Sequence, residues 1–185
     1  MTTQTTQTTT QTPDTVVRPV SPFLSDVRVQ SAIELIWHEA ALLDRKDYPT
    51  WEKLFSDDGY YIVPVDPETE DFENSLNMIY DDARLRHLRV ERLIQGFSPS
   101  AVAAATTVRT VSRFEVLEVS DSDVVIRSAQ IITAHKRNET RNLGAEMTHR
   151  IRLAANGHNG TDLIVQKVAR LIDSQDAIGA AGFLI

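Results

Sequence analysis

Residues 106–136, TTVRTVSRFEVLEVSDSDVVIRSAQIITAHK, mark the point where the apolar pattern of the chain changes from a helical period to a strand period. Apolar and β-branched residues alternate with polar ones on both sides of the turn at 121–123, as in strands that bury one face. The same alternation returns later in the chain. It predicts four strands joined by polar turns: Thr106–Val119, Val124–Lys136, Gly144–Leu153 and Leu163–Ile172.

Upstream of residue 104, apolar residues recur at every third or fourth position, which indicates amphipathic helices. We predict a helix over Val27–Asp47, a short helix opened by Pro49, a strand over Tyr60–Val65, and a third helix from Ser75 to about Ile94. Helices followed by long antiparallel strands are typical of α+β folds. The expected fold is a curved antiparallel sheet forming a cone, covered by about three N-terminal helices.

Length and composition predict one domain with an N-terminal arm. The chain has 185 residues, of which 42% are hydrophobic and 24% charged. These values are typical of a single soluble domain of about 100–200 residues. Residues 1–24 consist mainly of Thr, Gln, Pro, Ser and Val, with too little apolar surface to fold alone. We predict a disordered or extended arm over 1–24 and a single α+β cone domain over 25–185.

Residue counts exclude several classes of function. The chain has no cysteine, so it has no disulfide, no thiolate nucleophile and no thiolate ligands for an iron–sulfur cluster. Its net charge is −7, and residues 25–100 hold 8 basic and 16 acidic residues, which disfavours binding to phosphate backbones. No apolar run reaches the ~18 residues of a spanning helix, and no signal-peptide pattern is present. We predict a cytoplasmic protein with no nucleic-acid or membrane partner.

Motifs for cofactors, metals and nucleophiles are also absent from the sequence. The seven glycines form no phosphate-binding loop, the five histidines show no metal-ligand spacing, and no serine lies in a G-x-S-x-G turn. The sequence therefore predicts no catalytic, cofactor-binding or metal-binding residue in this chain.

One histidine lies where acid–base chemistry would be possible. Strand alternation places His149 on the apolar face, inside the predicted cone, with Asp44 and Tyr60 or Tyr61 as possible partners. The alternative is a core histidine bonded to a backbone carbonyl, with Asp44 paired to the basic residues that follow it and the tyrosines packed at the rim. Both interpretations stay open at this point.

The order of the motifs resembles a known family. HEAALLDRKDYPTWEKLFSDDGYYIVPV, residues 38–65, is similar to the amino-terminal signature of the small (β) subunits of aromatic-ring-hydroxylating dioxygenases. YDDARLRHLRVERL, residues 80–93, and VRTVSRFEV, residues 108–116, resemble later segments, except that Arg113 stands where the family usually has Asn. The matched positions of the first stretch are Glu39, Leu42, Leu43, Asp44, Trp51, Leu54, Phe55, Asp58, Tyr61 and Pro64.

The resemblance implies a fold and a role. The family fold is a cone-shaped α+β barrel of the nuclear-transport-factor-2-like type. The small subunit is mainly structural and scaffolds a large subunit that carries a Rieske cluster and a mononuclear iron, and NAD(P)H is used through separate electron-transfer components. Three small and three large subunits form the assembly, and the small subunits associate as a trimer. The chain is thus expected to be the non-catalytic subunit of an oxidoreductase acting on an aromatic compound.

Two other classes of function remain as alternatives. One is a stand-alone cone-fold dehydratase or isomerase that uses His149, Asp44 and Tyr60. The other is a ligand-binding module without chemistry, which predicts a cavity but no acid–base pair.

Arginine usage in the strand region suggests an interface. From residue 101 to residue 152 there are seven arginines and one lysine, and interfaces are enriched in arginine and depleted in lysine. We therefore expect the outer face of the sheet to contact neighbouring subunits through arginine–carboxylate pairs. The candidate basic residues are Arg109, Arg113, Arg127, Arg150 and Arg152, and the candidate acidic partners are Asp81 and Asp82.

Overall fold

The computed structural model describes residues 25–95, 105–154, 161–175 and 183–185. The predicted arm at 1–24 lies outside these ranges. The elements are α1 (Val27–Arg45), α2 (Tyr48–Glu52), β1 (Phe55–Pro64), β2 (Asn77–Asp81), α3 (Ala83–Ile94), β3 (Thr106–Val119), β4 (Asp123–Lys136), β5 (Glu139–Arg152) and β6 (Leu163–Leu171). No helix in the described ranges is long and apolar enough to cross a membrane.

Local sequence signals set the ends of the helices. Asp26 caps α1, because its side chain accepts a hydrogen bond from the backbone N–H of Arg28, and Lys46 ends the helix in the left-handed region at φ 60°. Asp82 caps α3 by accepting from the N–H of Leu85 at 2.7 Å. Each helix therefore begins at an aspartate whose short side chain satisfies a free backbone donor.

The third predicted helix begins too early in the sequence. We predicted a start at Ser75, but residues Asn77–Asp81 form β2, and the helix begins only at Ala83. Met78 is partly exposed rather than buried on a helical face. The residues of β2 pair with the far end of β1, and the Asp82 cap then starts the helix. Tertiary pairing thus overrides the helical spacing of the apolar residues.

The six strands form one curved, unclosed sheet in the order β2-β1-β6-β5-β4-β3. The pairs are antiparallel as predicted, except that β1 runs parallel to β6. A parallel pair needs a long connection, which the intervening helix and strands supply. β1 begins at Phe55 rather than at the predicted Tyr60, and its register against β6 shifts between these two residues.

The long β4–β5 hairpin is the most regular part of the sheet. Its register runs without a shift from Asp123 opposite Arg152 to Lys136 opposite Glu139. The two turn residues, Arg137 and Asn138, have φ of 51° and 65°, the left-handed values of a tight hairpin turn. β5 therefore begins at Glu139 rather than at the predicted Gly144.

The core lies between the helices and one face of the sheet. The first half of α1 packs on Val124, Ile126 and Ile151, and its second half joins α2, β1 and β6 in a larger cluster around Trp51. This arrangement confirms the predicted α+β class, a curved sheet covered by N-terminal helices. The covered face is the inside of the cone, and the other face of the sheet is called the outer face below.

Candidate functional site

His149 lies inside the cone, as its place in the alternation predicts. Its neighbours Met147 and Ile151 on β5 share its fully buried face. The residue directly opposite it on β6 is Lys167, whose side chain is also fully buried. Two potentially charged side chains thus stand next to each other on the inner face of the sheet.

Glu39 of α1 meets both of these residues. Its Oε1 accepts hydrogen bonds from Lys167 Nζ at 2.6 Å and from Trp51 Nε1 at 2.9 Å, and its Oε2 lies 3.0 Å from His149 Nε2. All four residues are buried. We call Glu39, Trp51, His149 and Lys167 the Glu39 cluster. Because a carboxylate only accepts, Nε2 of His149 carries the proton.

The charges of the Glu39 cluster balance one another. Burial raises the pKa of Glu39, but the Lys167 charge and the His149 hydrogen bond outweigh burial and hold that pKa well below its usual range. Burial lowers the pKa of Lys167, and the carboxylate of Glu39 opposes that shift. Glu39 is therefore an ionised carboxylate whose hydrogen-bonding capacity is used by three fixed donors.

The structure does not bring His149, Asp44 and Tyr60 together. Asp44 accepts from Thr107 Oγ1 at 2.9 Å, from the backbone N–H of Arg109 at 2.9 Å and from its Nη1 at 2.5 Å. This corrects both interpretations of Asp44, since its partner is neither the histidine nor a neighbouring basic residue. His149 likewise bonds a carboxylate rather than a backbone carbonyl.

The two tyrosines point to opposite sides of β1. Tyr60 is on the more exposed side, with its ring centroid 5.2 Å from that of Tyr80. Tyr61 is fully buried, and its hydroxyl donates to the carbonyl of Ile185 at 3.1 Å and accepts from the N–H of Ile185 at 3.0 Å. The candidate acid–base set with Tyr60 is therefore not assembled, because strand alternation turns that side chain away from the cone.

Two surface grooves formed by the described residues do not reach the Glu39 cluster. One surface groove of about 380 Å³ is bordered by Trp37, Asp44 and Arg109, and another of about 690 Å³ lies beside Arg28 and Leu35 of α1. Neither groove is lined by a member of the cluster. The arrangement can fix α1 and α2 to the sheet, but these grooves admit no substrate to His149.

Within the described ranges no group of three or more His, Asp or Glu side chains is placed to hold an ion. A Rieske cluster needs two cysteines as well as two histidines, and the sequence has no cysteine. The chain therefore lacks the ligands of the Rieske cluster that the resemblance implies for the assembly.

Sequence reasoning missed Glu39 and Lys167, although both carry a recognisable signal. Glu39 falls three residues after Ile36 and four before Leu43, within the apolar stripe of α1. Lys167 shares the buried face of β6 with Val165 and Ala169, two residues away on either side. A charged residue on each of two apolar faces that must pack together indicates a buried ion pair.

Four of the predicted interface arginines lie on the outer face, and each forms ion pairs with carboxylates of the same chain. Arg113 and Arg127 both contact Glu115 and Glu146, with distances from 3.0 to 3.8 Å. We call these four residues the outer ladder. Further along the sheet two more exposed pairs occur: Arg150 with Glu118 at 3.1 Å and Arg152 with Asp58 at 3.0 Å.

The remaining interface candidates have other roles in the structure. The Arg109 side chain is 1% exposed and bound to Asp44, so it belongs to the core. Asp81 is buried against Arg89 at 2.5 Å, and Asp82 caps α3. Alternation on β3 turns Arg109 inward, so its place in the strand explains why it differs from the other four arginines.

An apolar patch adjoins the outer ladder. Val108, Ile131 and Ile172 are all more than half exposed. Ile131 lies opposite Gly144 across the β4–β5 pair. The side chain of Ile172 covers Gly144, since a Cβ on that glycine would lie 2.9 Å from Cδ1 of Ile172. We call Val108, Ile131 and Ile172 the outer patch. Exposed aliphatic side chains next to the arginines of the outer ladder form a surface with a composition typical of protein interfaces.

The chain is similar in sequence to a known dioxygenase component. The small oxygenase component of the p-cumate 2,3-dioxygenase system of Pseudomonas putida is 35% identical over 99 residues, 52% of this chain and 54% of that protein. The match thus spans about half the length of the curated relative.

Solved structures show the fold. The β subunit of benzoate 1,2-dioxygenase from Burkholderia mallei superposes with a TM-score of 0.65 at 17% identity, over 83% of this chain and 95% of that one. A nuclear-transport-factor-2-like protein with a cystatin-like fold from Novosphingobium aromaticivorans gives 0.56 at 12%, over 79% and 82%. These likenesses confirm the predicted cone fold. The family model described as the ring hydroxylating beta subunit matches residues 38–175, most of the sequence, and the chain therefore belongs to that family.

Proposed function

We propose that this chain is the structural small subunit of a multicomponent dioxygenase that hydroxylates an aromatic ring. The observation that carries the proposal is the family match over residues 38–175. The packing inside the cone supports it, because the one buried histidine among the described residues, His149, is bonded to Glu39 and lines neither surface groove. The chain then contributes surface and shape to a complex whose chemistry occurs in a partner.

The partner is a large subunit that holds the Rieske cluster and the mononuclear iron. This chain has no cysteine to ligate such a cluster. Electrons from NAD(P)H reach the large subunit through separate components, and the proposal places the assembly in the cytoplasm. The aromatic substrate contacts the large subunit, and p-cumate and benzoate are the first compounds to test, since the similar proteins carry those names.

Subunit contacts are proposed on the outer face of the sheet, in an assembly of three small and three large subunits with the small subunits as a trimer. A ring of identical chains brings two different patches of each chain together. The outer ladder supplies two arginines and two glutamates that can exchange partners between chains, and Arg150 and Arg152 supply two more charges nearby. The outer patch adds aliphatic surface beside them.

Co-expression with the large-subunit gene from the same genome tests the proposal. The chain purified alone should show no visible absorbance and no turnover of p-cumate or benzoate. With the large subunit it should co-purify in a 1:1 ratio, show the absorbance of an iron–sulfur cluster, and turn over an aromatic substrate when the electron-transfer components are added. Turnover of any dehydratase or isomerase substrate by the chain alone, or a fully active large subunit without it, would contradict the proposal.

A further inference from the structure

The segment Phe183–Ile185 fills the inside of the cone, although it belongs to no helix or strand. Leu184 is 3% exposed and Ile185 is 7% exposed, and both belong to the same apolar cluster as Trp51 and Met147. We call Phe183–Ile185 the closing segment. It packs in the same cluster as residues of α2, β1 and β6.

Side chains, rather than a strand ladder, hold the backbone of the closing segment. Tyr61 donates to the carbonyl and accepts from the N–H of Ile185, and the guanidinium of Arg109 donates through Nη2 to the carbonyl of Leu184. The Arg109 guanidinium also lies 6.0 Å from the ring centroid of Phe183. A bound peptide is recognised in the same way, by fixed side chains that pair with its main-chain groups.

The side chains of Arg109 and Tyr61, which bind the closing segment, are themselves held by contacts that do not involve it. Arg109 is held by Asp44 at 2.5 Å and Thr107 at 3.0 Å, and its charge is balanced by that carboxylate. The ring of Tyr61 packs edge-on against Trp51 at 5.7 Å and lies 5.4 Å from Lys167 Nζ. Burial raises the pKa of the Tyr61 hydroxyl, which keeps it protonated. An apolar cavity with a few convergent polar groups held in place is the usual form of a ligand site.

We propose that the interior of the cone is a binding site for a short apolar peptide and that the closing segment occupies it as a tethered ligand. The ligand class follows from the contacts. Aliphatic side chains match the apolar walls, and main-chain oxygens match the donors Tyr61 and Arg109. The site is separate from the proposed subunit contacts, so it can be tested on this chain alone.

The test uses the full chain with the closing segment made unable to bind. Leu184→Asp with Ile185→Asp replaces both buried aliphatic side chains with charges. The matched control is Leu76→Asp with Ile94→Asp, which makes the same two kinds of change at residues that are 76% and 57% exposed. The probe is the capped peptide acetyl-Phe-Leu-Ile-amide, and acetyl-Phe-Asp-Asp-amide is the control peptide. Binding is measured by titration calorimetry and by thermal unfolding.

The variant with the altered closing segment should unfold at a lower temperature and bind the apolar peptide with one-to-one saturation, and the bound peptide should raise its unfolding temperature. The unaltered chain and the control variant should bind neither peptide, because their site is filled. Adding Tyr61→Phe to the altered variant should weaken peptide binding by about tenfold or more, because it removes both hydrogen bonds that the hydroxyl makes to the main chain of the segment.

Three results would overturn the proposal. A folded altered variant that binds no peptide would show that the closing segment is ordinary core. Binding of the peptide by the unaltered chain would show that the segment does not occupy the site. If the altered variant does not fold, it is refolded with the apolar peptide present: recovery of folded protein supports the proposal, and a lack of recovery with either peptide contradicts it.

Discussion

The inside of the cone and the outer face of the sheet hold similar kinds of charged residue in opposite settings. Inside, Glu39 and Lys167 form a buried ion pair with every carboxylate oxygen bonded. Outside, the side chains of the arginines and glutamates of the outer ladder are 38 to 56% exposed. The interior charges therefore hold this chain together, because an unpaired charge there is costly. The outer charges add little to the stability of the chain and remain available to a partner.

Breaking the inner ion pair should give the largest loss of stability. Lys167→Met leaves the Glu39 carboxylate buried without its cation, and removal of one partner of a buried pair costs about 3–5 kcal/mol. Urea unfolding of the purified chain measures the loss. Lys53→Met, at an exposed position, is the matched control and should change stability by less than ~0.5 kcal/mol.

The double variant Glu39→Gln with Lys167→Met separates pairing from packing. It removes both charges, so most of the stability lost in the single variant should return. If the double variant is as unstable as Lys167→Met alone, the loss comes from packing of the lysine side chain, and the electrostatic account of the cone interior is wrong.

Replacing His149 should have a smaller effect than removing the cation. His149→Leu removes the donor to Oε2 of Glu39, and an unsatisfied buried acceptor costs about 1–3 kcal/mol. His149→Gln keeps an N–H donor of similar reach and should lose less. Equal losses for Leu and Gln in the same urea series would show that the hydrogen bond is not what the histidine contributes.

Acid should weaken the folded chain partly through Glu39. Its pKa is held below the usual value near 4.5 in the folded chain, so in the unfolded chain it takes up a proton at a higher pH. The ionised Glu39 therefore stabilises the folded chain above about pH 4.5. This contribution is lost progressively as the pH falls toward the lower pKa of the folded state. Stability measured from pH 6 to pH 3 should fall more steeply for the unaltered chain than for Glu39→Gln with Lys167→Met. Parallel curves would contradict this assignment.

The sequence was sufficient to predict the elements with a clear period and failed where long-range pairing decides. The helical stripe of α1 and the alternation of β3 to β6 identified those elements and placed His149 on the inner face. β2 was missed because its five residues become a strand only through pairing with β1. The parallel pairing of β1 with β6 has no local signal at all.

The partners of the candidate site were harder to predict than its position. His149 was placed correctly, but its partner Glu39 lies 110 residues away, and Asp44 is bonded to a residue 65 positions away. Such contacts depend on how α1 crosses the sheet, which periodicity does not specify. A count of charged residues on apolar faces would have identified Glu39 and Lys167, and this is the physical signal that sequence reasoning left unused.

Substitutions on the outer face should give the smallest effects on the chain itself. Arg127→Ala and Arg150→Ala remove exposed pairs, and such pairs contribute about 0.2–1 kcal/mol, so urea unfolding of the isolated chain should change little. In the complex with the large subunit, the proposed contacts bury these charges, and truncation of one partner of a buried interfacial pair costs about 2–5 kcal/mol. The variants should therefore shift the assembly toward free subunits in sedimentation velocity runs, most strongly at low protein concentration.

The matched control is Arg84→Ala, which removes an exposed arginine on α3 and should leave assembly normal. Normal assembly of Arg113→Ala, Arg127→Ala, Arg150→Ala and Arg152→Ala would place the subunit contacts on another face of the molecule and leave the outer charges with no role beyond solvation.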